Sequence, residues 1–173
     1  VVKNSRLLTT TDGKLLSYPF RFPMVDVSAI GEEPLRRRAR GKNLLFGTAL
    51  GRRQLKDEKY GEAVARDCNI IVPENELKWR HLHKNQERWG FKHADKMLDF
   101  ARRNGMAMRG HTLVWHNSIP GWANEVLRRS PGKFRNLMAE HIRTVAGRYA
   151  GEMHSWDVVN EPMEPMDGRS DGL

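Results

Sequence analysis

From residue 44 onward, the apolar positions of this chain switch repeatedly between short continuous runs and stripes at helical spacing. Leu44 to Ala49 is a compact apolar run of strand length, and Lys56 to Cys68 follows with Tyr60, Val64 and Ala65 one helical turn apart. Ile70 to Val72, ended by Pro73, predicts a second strand. A polar and aromatic loop, Glu74 to Gly90, leads to a helix over His93 to Arg103, whose apolar face is Ala94, Met97, Leu98 and Ala101. Gly105 is a helix stop before a third strand, Met106 to Gly110. Pro131 opens a helix through about Tyr149, with Phe134, Leu137, Met138, Ile142 and Val145 inward, and Ser155 to Val159 is the fourth strand. Before residue 43 the pattern is weak. A turn at Asp12-Gly13 and prolines at 19, 23 and 34 make residues 1–42 an N-terminal extension with at most a hairpin and a short helix.

Four strand-then-helix cycles over residues 43–173 predict an α/β fold with a parallel sheet and right-handed crossovers. An open doubly wound sheet and part of a (β/α)8 barrel both fit that alternation. Against the first, the FGTALG run has Gly47 and Gly51 but forms neither GxGxxG nor a phosphate loop. The 173 residues suffice for one domain, but a complete eight-stranded barrel needs about 250.

Charge changes the picture little. The net +9 is uneven: residues 1–43 hold nine Lys/Arg against four Asp/Glu, so the other 130 residues share only +4. The cluster Arg36 to Arg40 is read as a solvated helical face in preference to a phosphate site, which argues against a nucleic-acid partner. The single cysteine, Cys68, forms no intrachain disulfide and is read as a buried thiol. No apolar run reaches the roughly 20 residues that cross a bilayer, so no membrane partner is expected. No secretory signal is visible, although the chain starts at Val1 without an initiator Met, which leaves room for one upstream.

Candidate chemistry gathers at the strand exits. WDVVNE, Trp156 to Glu161, reads as a strand that delivers an amide and a carboxylate together, where α/β barrels keep their active sites. A surface turn is the plain alternative. The second strand is followed by Glu74, Asn75 and Lys78 with Trp79 alongside, and the third by His111, Trp115 and His116. Carboxylates and amides bind vicinal hydroxyls, lysine and histidine supply donors, and indole faces stack on pyranose C–H faces. The set suits a sugar cleft, while Trp79 and Trp115 also suit a core and Lys78 a surface. His81, His83, His93, His111 and His116 are dense, but no HExxH or zinc-ligand spacing appears, so no metal or other cofactor is expected.

The runs FGTA (Phe46 to Ala49), PENELKW (Pro73 to Trp79), RGHTLVWH (Arg109 to His116) and WDVVNE resemble, in order and spacing, the signatures of glycoside hydrolase family 10, the β-1,4-xylanases. The resemblance covers about residues 43–173. It implies about four N-terminal βα units of a (β/α)8 TIM barrel and an endo-1,4-β-xylanase acting on xylan or xylo-oligosaccharides with retention of configuration. It further implies Glu161 as acid/base and Asn160 as the amide bonding the sugar 2-hydroxyl. Glu74, Asn75, Lys78, His111 and Trp115 match glycone contacts, and His116 a residue near the catalytic carboxylates. Location outside the cytoplasm, secreted or periplasmic, is implied in the same way.

Two departures stand out. Ser118 occupies the place where many family members have glutamine, and the family nucleophile, a glutamate in a T-E-L/F-D segment on a later strand, has no match before Leu173. Glu74, Glu76, Asp157 and Glu164 are nearby carboxylates; Glu74 matches a hydroxyl-binding role, Asp157 alternates away from its outward-facing neighbours, and none is assigned as nucleophile. The expectation is a chain inactive alone, truncated after strand four, that pairs with a C-terminal half-barrel or with itself. A cellulase, a mixed-linkage glucanase and a non-catalytic carbohydrate-binding half-barrel are the other readings.

Overall fold

The computed structural model describes residues 33–162; the expected turn at Asp12-Gly13 and Glu164 lie outside them. Among the described residues, β1 (Gly47–Leu50), β2 (Ile70–Pro73), β3 (Ala107–Val114) and β4 (Ser155–Val159) form one parallel sheet in the order β1-β2-β3-β4. The order follows the chain without reversal, so there is no switch-point crevice of the doubly wound kind. It is the order of a barrel wall.

The intervening helices are α1 (Leu35–Gly41), α2 (Glu58–Asp67), α3 (Trp79–Leu82), α4 (Lys92–Arg103), α5 (Gly121–Arg129) and α6 (Pro131–Arg148). α2 packs on β1, α4 on β2 and β3, and α6 on β3. Beneath them Leu50, Ile71 and Met108 are almost fully buried, in one cluster with Val64, Met97, Ala101 and Val145. The alternate strand positions, Ile70, Val72, Ala107, Arg109 and His111, form the other face and are only half-buried. Gly110 lies opposite Trp156 in the β3–β4 register, where a Cβ would overlap the indole ring. Among the described residues, no helix is long and apolar enough to cross a membrane.

Three elements differ from the periodicity. The first strand begins at Gly47 instead of Leu44, because the preceding residues close α1: Asn43 takes φ 55°, its N–H donates to Arg40 O at 3.0 Å, and Leu44 N–H reaches Ala39 O at 2.8 Å. This is a Schellman cap with Asn in the left-handed position. β3 runs four residues past Gly110, with a register shift between His111 and Val114. α5 has no counterpart in the sequence reading. It is bounded by Pro120 and by Ser130-Pro131, where proline drives Ser130 out of helical geometry (φ −156°, ψ 87°) and restarts the chain as α6.

The basic cluster has a structural task. Arg36 in α1 donates to Ala65 O at 2.6 Å and Asn104 O at 2.9 Å, so one guanidinium meets otherwise orphaned carbonyls at the C-terminal ends of α2 and α4. Described residues from Pro34 onward belong to one compact unit.

Candidate active site

The loops after β1, β2, β3 and β4 all emerge at the carboxyl end of the sheet, and hydrogen bonds tie them to one another. Glu74 N–H donates to Leu50 O at 3.0 Å, carrying the β1–β2 ladder one residue past the strands. Glu76 braces the same region by accepting from Arg52 N–H at 2.8 Å and Asn75 N–H at 3.0 Å. Lys78 Nζ donates to Asn75 Oδ1 at 3.1 Å and stands 4.8 Å from the Trp115 ring centroid, a cation–π distance. Trp115 Nε1–H in turn donates to Glu161 Oε2 at 2.6 Å. Asn75, Lys78, Trp115 and Glu161, from three different loops, are thus one connected chain.

Glu161 is exposed and adopts φ 50°. Left-handed backbone at a non-glycine residue costs on the order of 1 kcal/mol and is tolerated where the surroundings hold it. Here Asn160 N–H donates to Val114 O at 2.9 Å, and the Trp115 indole grips the carboxylate. The Asn160 side-chain amide has no protein partner among the described residues.

The half-buried sheet face continues the site. Glu74, Lys78, Arg109 and His111 line a groove of about 640 Å³ along it, with Ile70 and Val72 in its floor. Asp157 sits directly across from His111 in the β3–β4 register. It accepts from Arg109 Nε at 3.1 Å, forms a second bond with Arg109 Nη2, and lies 3.0 Å from His111 Nδ1. The Arg109 hydrogen bond, with a smaller contribution from His111, holds the Asp157 carboxyl below the usual carboxylate range against the effect of partial burial. An ionised carboxylate only accepts, so His111 Nδ1 carries the proton in this contact.

Not every residue singled out in the sequence joins this chain of contacts. His116 is exposed at the start of a 3-10 turn, its ring 6.2 Å from that of Trp115. Trp79 is buried at 1 % exposure and stacks on His141 at 4.2 Å, so of the two tryptophans only Trp115 faces the cleft. Ser118 is buried, its N–H donating to Trp115 O at 2.8 Å. Among the described residues, no three His, Cys, Asp or Glu side chains converge as a metal cage.

The model of glycosyl hydrolase family 10 matches residues 34–172. The chain belongs to that family. It is 41 % identical over 118 residues to endo-1,4-beta-xylanase 3 of Hypocrea jecorina, covering 68 % of this chain and 33 % of the relative. It is 40 % identical over 140 residues to endo-1,4-beta-xylanase B of Thermotoga neapolitana, covering 78 % and 40 %. Among solved structures, native xylanase 10B from Thermotoga maritima is similar at TM-score 0.71 and 37 % identity, over 76 % of this chain and 41 % of that one. The chain therefore spans between a third and two fifths of the length of these relatives, and its four parallel strands with their helices are part of a (β/α)8 barrel.

Within this family-10 chain, sequence reasoning passed over Arg109 and left Asp157 without a role. A signal was present: opposite charges two apart from a candidate histidine and in the middle of a facing strand are costly on a dry face unless they pair.

Proposed function

We propose that this chain carries the glycone-binding and acid/base part of a retaining endo-1,4-β-xylanase. The observation that carries the reading is the Trp115–Glu161 contact, which holds a carboxyl group at the exit of β4 beside a lysine, an amide and an indole suited to a pyranose. In this reading Glu161 protonates the glycosidic oxygen as a second carboxylate, about 5 to 5.5 Å away, attacks the anomeric carbon. Glu161 then takes a proton from the water that hydrolyses the glycosyl-enzyme. The second carboxylate belongs to a later strand of the full barrel.

The remaining roles follow from chemistry and family position. Asn160 bonds the 2-hydroxyl, Glu74, Asn75, Lys78 and His111 hold glycone hydroxyls, Trp115 offers an apolar face, and His116 stands near the catalytic carboxylates. The substrate is β-1,4-xylan, a polymer outside the cell, which favours a secreted or periplasmic enzyme. Leu45, Phe46, Val158 and Val159, at and beside the two edge strands, are between 43 % and 53 % exposed and favour pairing with further strands, from the same polypeptide or from a second half-barrel.

Glu161→Ala in the full polypeptide tests the reading. Xylan hydrolysis should fall by about 10² to 10⁴. Aryl glycosides with good leaving groups should keep their first step, and azide should restore turnover. Equal loss on both substrates with no azide effect would remove Glu161 from the acid/base role. A soluble monomer of these 173 residues that hydrolyses xylan would place the second carboxylate within this chain.

A further inference from the structure

We infer that His141, a buried side chain of α6 that does not line the groove along the open sheet face, is a positioning residue for the candidate site: it fixes Lys78 and Trp115 relative to each other. Its effect on turnover rests on the xylanase reading, whereas its effect on geometry does not.

Lys78 and Trp115 come from different loops, yet Lys78 Nζ stands 4.8 Å from the Trp115 ring centroid, and Trp115 Nε1–H holds Glu161. His141 touches the segments on both sides of that contact. Its ring stacks on Trp79, with centroids 4.2 Å apart and planes 13° apart, and Trp79 is the residue after Lys78 and the first of α3. Its Nε2–H donates to Leu113 O at 2.9 Å, two residues ahead of Trp115. Leu113 lies where the β3–β4 register shifts, and the next carbonyl, Val114 O, accepts from Asn160 N–H at 2.9 Å, so the same strand end also steadies the exit of β4. Arg80 joins the two loops as well, through Asn117 O at 2.6 Å, but from an exposed position.

One ring meets two requirements at once. A phenylalanine would stack without donating, and a glutamine would donate without stacking. The arrangement carries a cost, because Trp79 Nε1 and His141 Nδ1 are buried without a partner among the described residues, which an apolar pair would avoid. Phe134, two turns earlier on α6, also stacks on Trp79, at 6.0 Å, so a regular helix holds the tryptophan at two points. Support from a rigid element is what gives a site its precision.

Proton–carbon spectra of the full polypeptide labelled with ε-13C-lysine provide the test. The Lys78 methylene, lying over the Trp115 ring, should resonate upfield of the other lysines in the native protein, and Lys78→Arg identifies the signal by removing it. In His141→Phe and His141→Gln, each of which keeps one of the two contacts, the signal should move back toward the other lysines. Turnover of xylo-oligosaccharides should then fall in kcat/KM by about tenfold or more. Val64→Ala, which opens the core under α2, should lower stability without moving the signal. A signal unmoved in either folded His141 variant would overturn the inference, as would a native Lys78 signal with no upfield shift. A signal that moves equally in Val64→Ala would reduce His141 to an ordinary core residue. A native polypeptide that leaves xylan intact, with a Lys78 signal that still responds to both His141 substitutions, would overturn the xylanase reading and leave the positioning role standing.

Discussion

The two faces of the four-stranded sheet use the same alternation to opposite ends. On the helix-covered face, Leu50 and Ile71 at 0 % exposure and Met108 at 1 % meet α2, α4 and α6 in a dry cluster. On the other face Ile70, Val72 and Ala107 are half-buried, and toward the carboxyl ends the positions become Arg109, His111 and Asp157. The covered face supplies stability, and the open one spends the same strands on placing charge. The sharpest way to break this contrast is a pair of neighbours on β2. Ile71→Ala should cost about 2 to 5 kcal/mol in urea unfolding, whereas Val72→Ala should cost about 1 kcal/mol or less. Equal losses would mean that the open face is as tightly packed as the covered one.

A second test uses the buried polar group under the covered face. His141 of α6, 1 % exposed, donates from Nε2 to Leu113 O at 2.9 Å, while its Nδ1 has no partner. Burial pushes its pKa down to about 4, against the Leu113 bond, with the nearby His83 lowering it further. A folded value below the unfolded 6.5 means that the neutral form belongs to the native state. Its stability is fully present above about pH 6.5 and is lost as the pH falls to about 4, by about 3 kcal/mol in all. Urea unfolding across that window should show the slope, and His141→Phe should flatten it. An unchanged slope would place the acid sensitivity elsewhere.

The third test is steric. Gly110→Ala places a methyl group where the Trp156 ring lies on the covered face, and should cost about 1 to 3 kcal/mol. Gly121, exposed at the start of α5 with nothing within 4 Å of an added Cβ, should tolerate the same change.

How much of this was legible beforehand differs between the faces in the same way. Ile70–Val72, apolar on both sides, reads as a continuous run, and Ser155–Val159 was visible from its tryptophan and valines. α4 and α6 announced themselves by an apolar stripe. β1 was misplaced because Leu44 looks like strand but closes the cap of α1, with Asn43 in the left-handed region, while Phe46 bonds Asn69 just ahead of the strand. α5 is short and enclosed by prolines, so its stripe is easily taken for loop. Of the candidate residues expected at strand exits, Glu74, Asn75, Lys78, Trp115, Asn160 and Glu161 follow strand ends, whereas His111 lies inside β3, which runs on to Val114. What spacing alone did not separate was Trp79 from Trp115, one packed under His141 and the other over Lys78, nor did it reveal the Arg109–Asp157–His111 cluster, which requires the β3–β4 register.

That cluster allows the finest test of the contrast. Asp157→Asn keeps size and removes charge, and because Arg109 is 44 % exposed, solvent screening limits the loss of stability to about 1 kcal/mol or less. The sign follows from the depressed carboxyl: its contribution is present above about pH 4, the ordinary carboxylate value, and is lost as the pH falls through the lower folded value. The larger consequence is local. An ionised Asp157 obliges His111 to carry its proton on Nδ1, whereas an asparagine amide presents either an oxygen or an N–H group and permits either tautomer. Nitrogen chemical shifts of the His111 ring should therefore show a single Nδ1–H form in the native chain and a mixture in the Asp157→Asn variant. An unaltered ring signal would mean that Asp157 serves Arg109 alone, and the open face would then be a structural ion pair beside the site instead of a device that orients His111 within it.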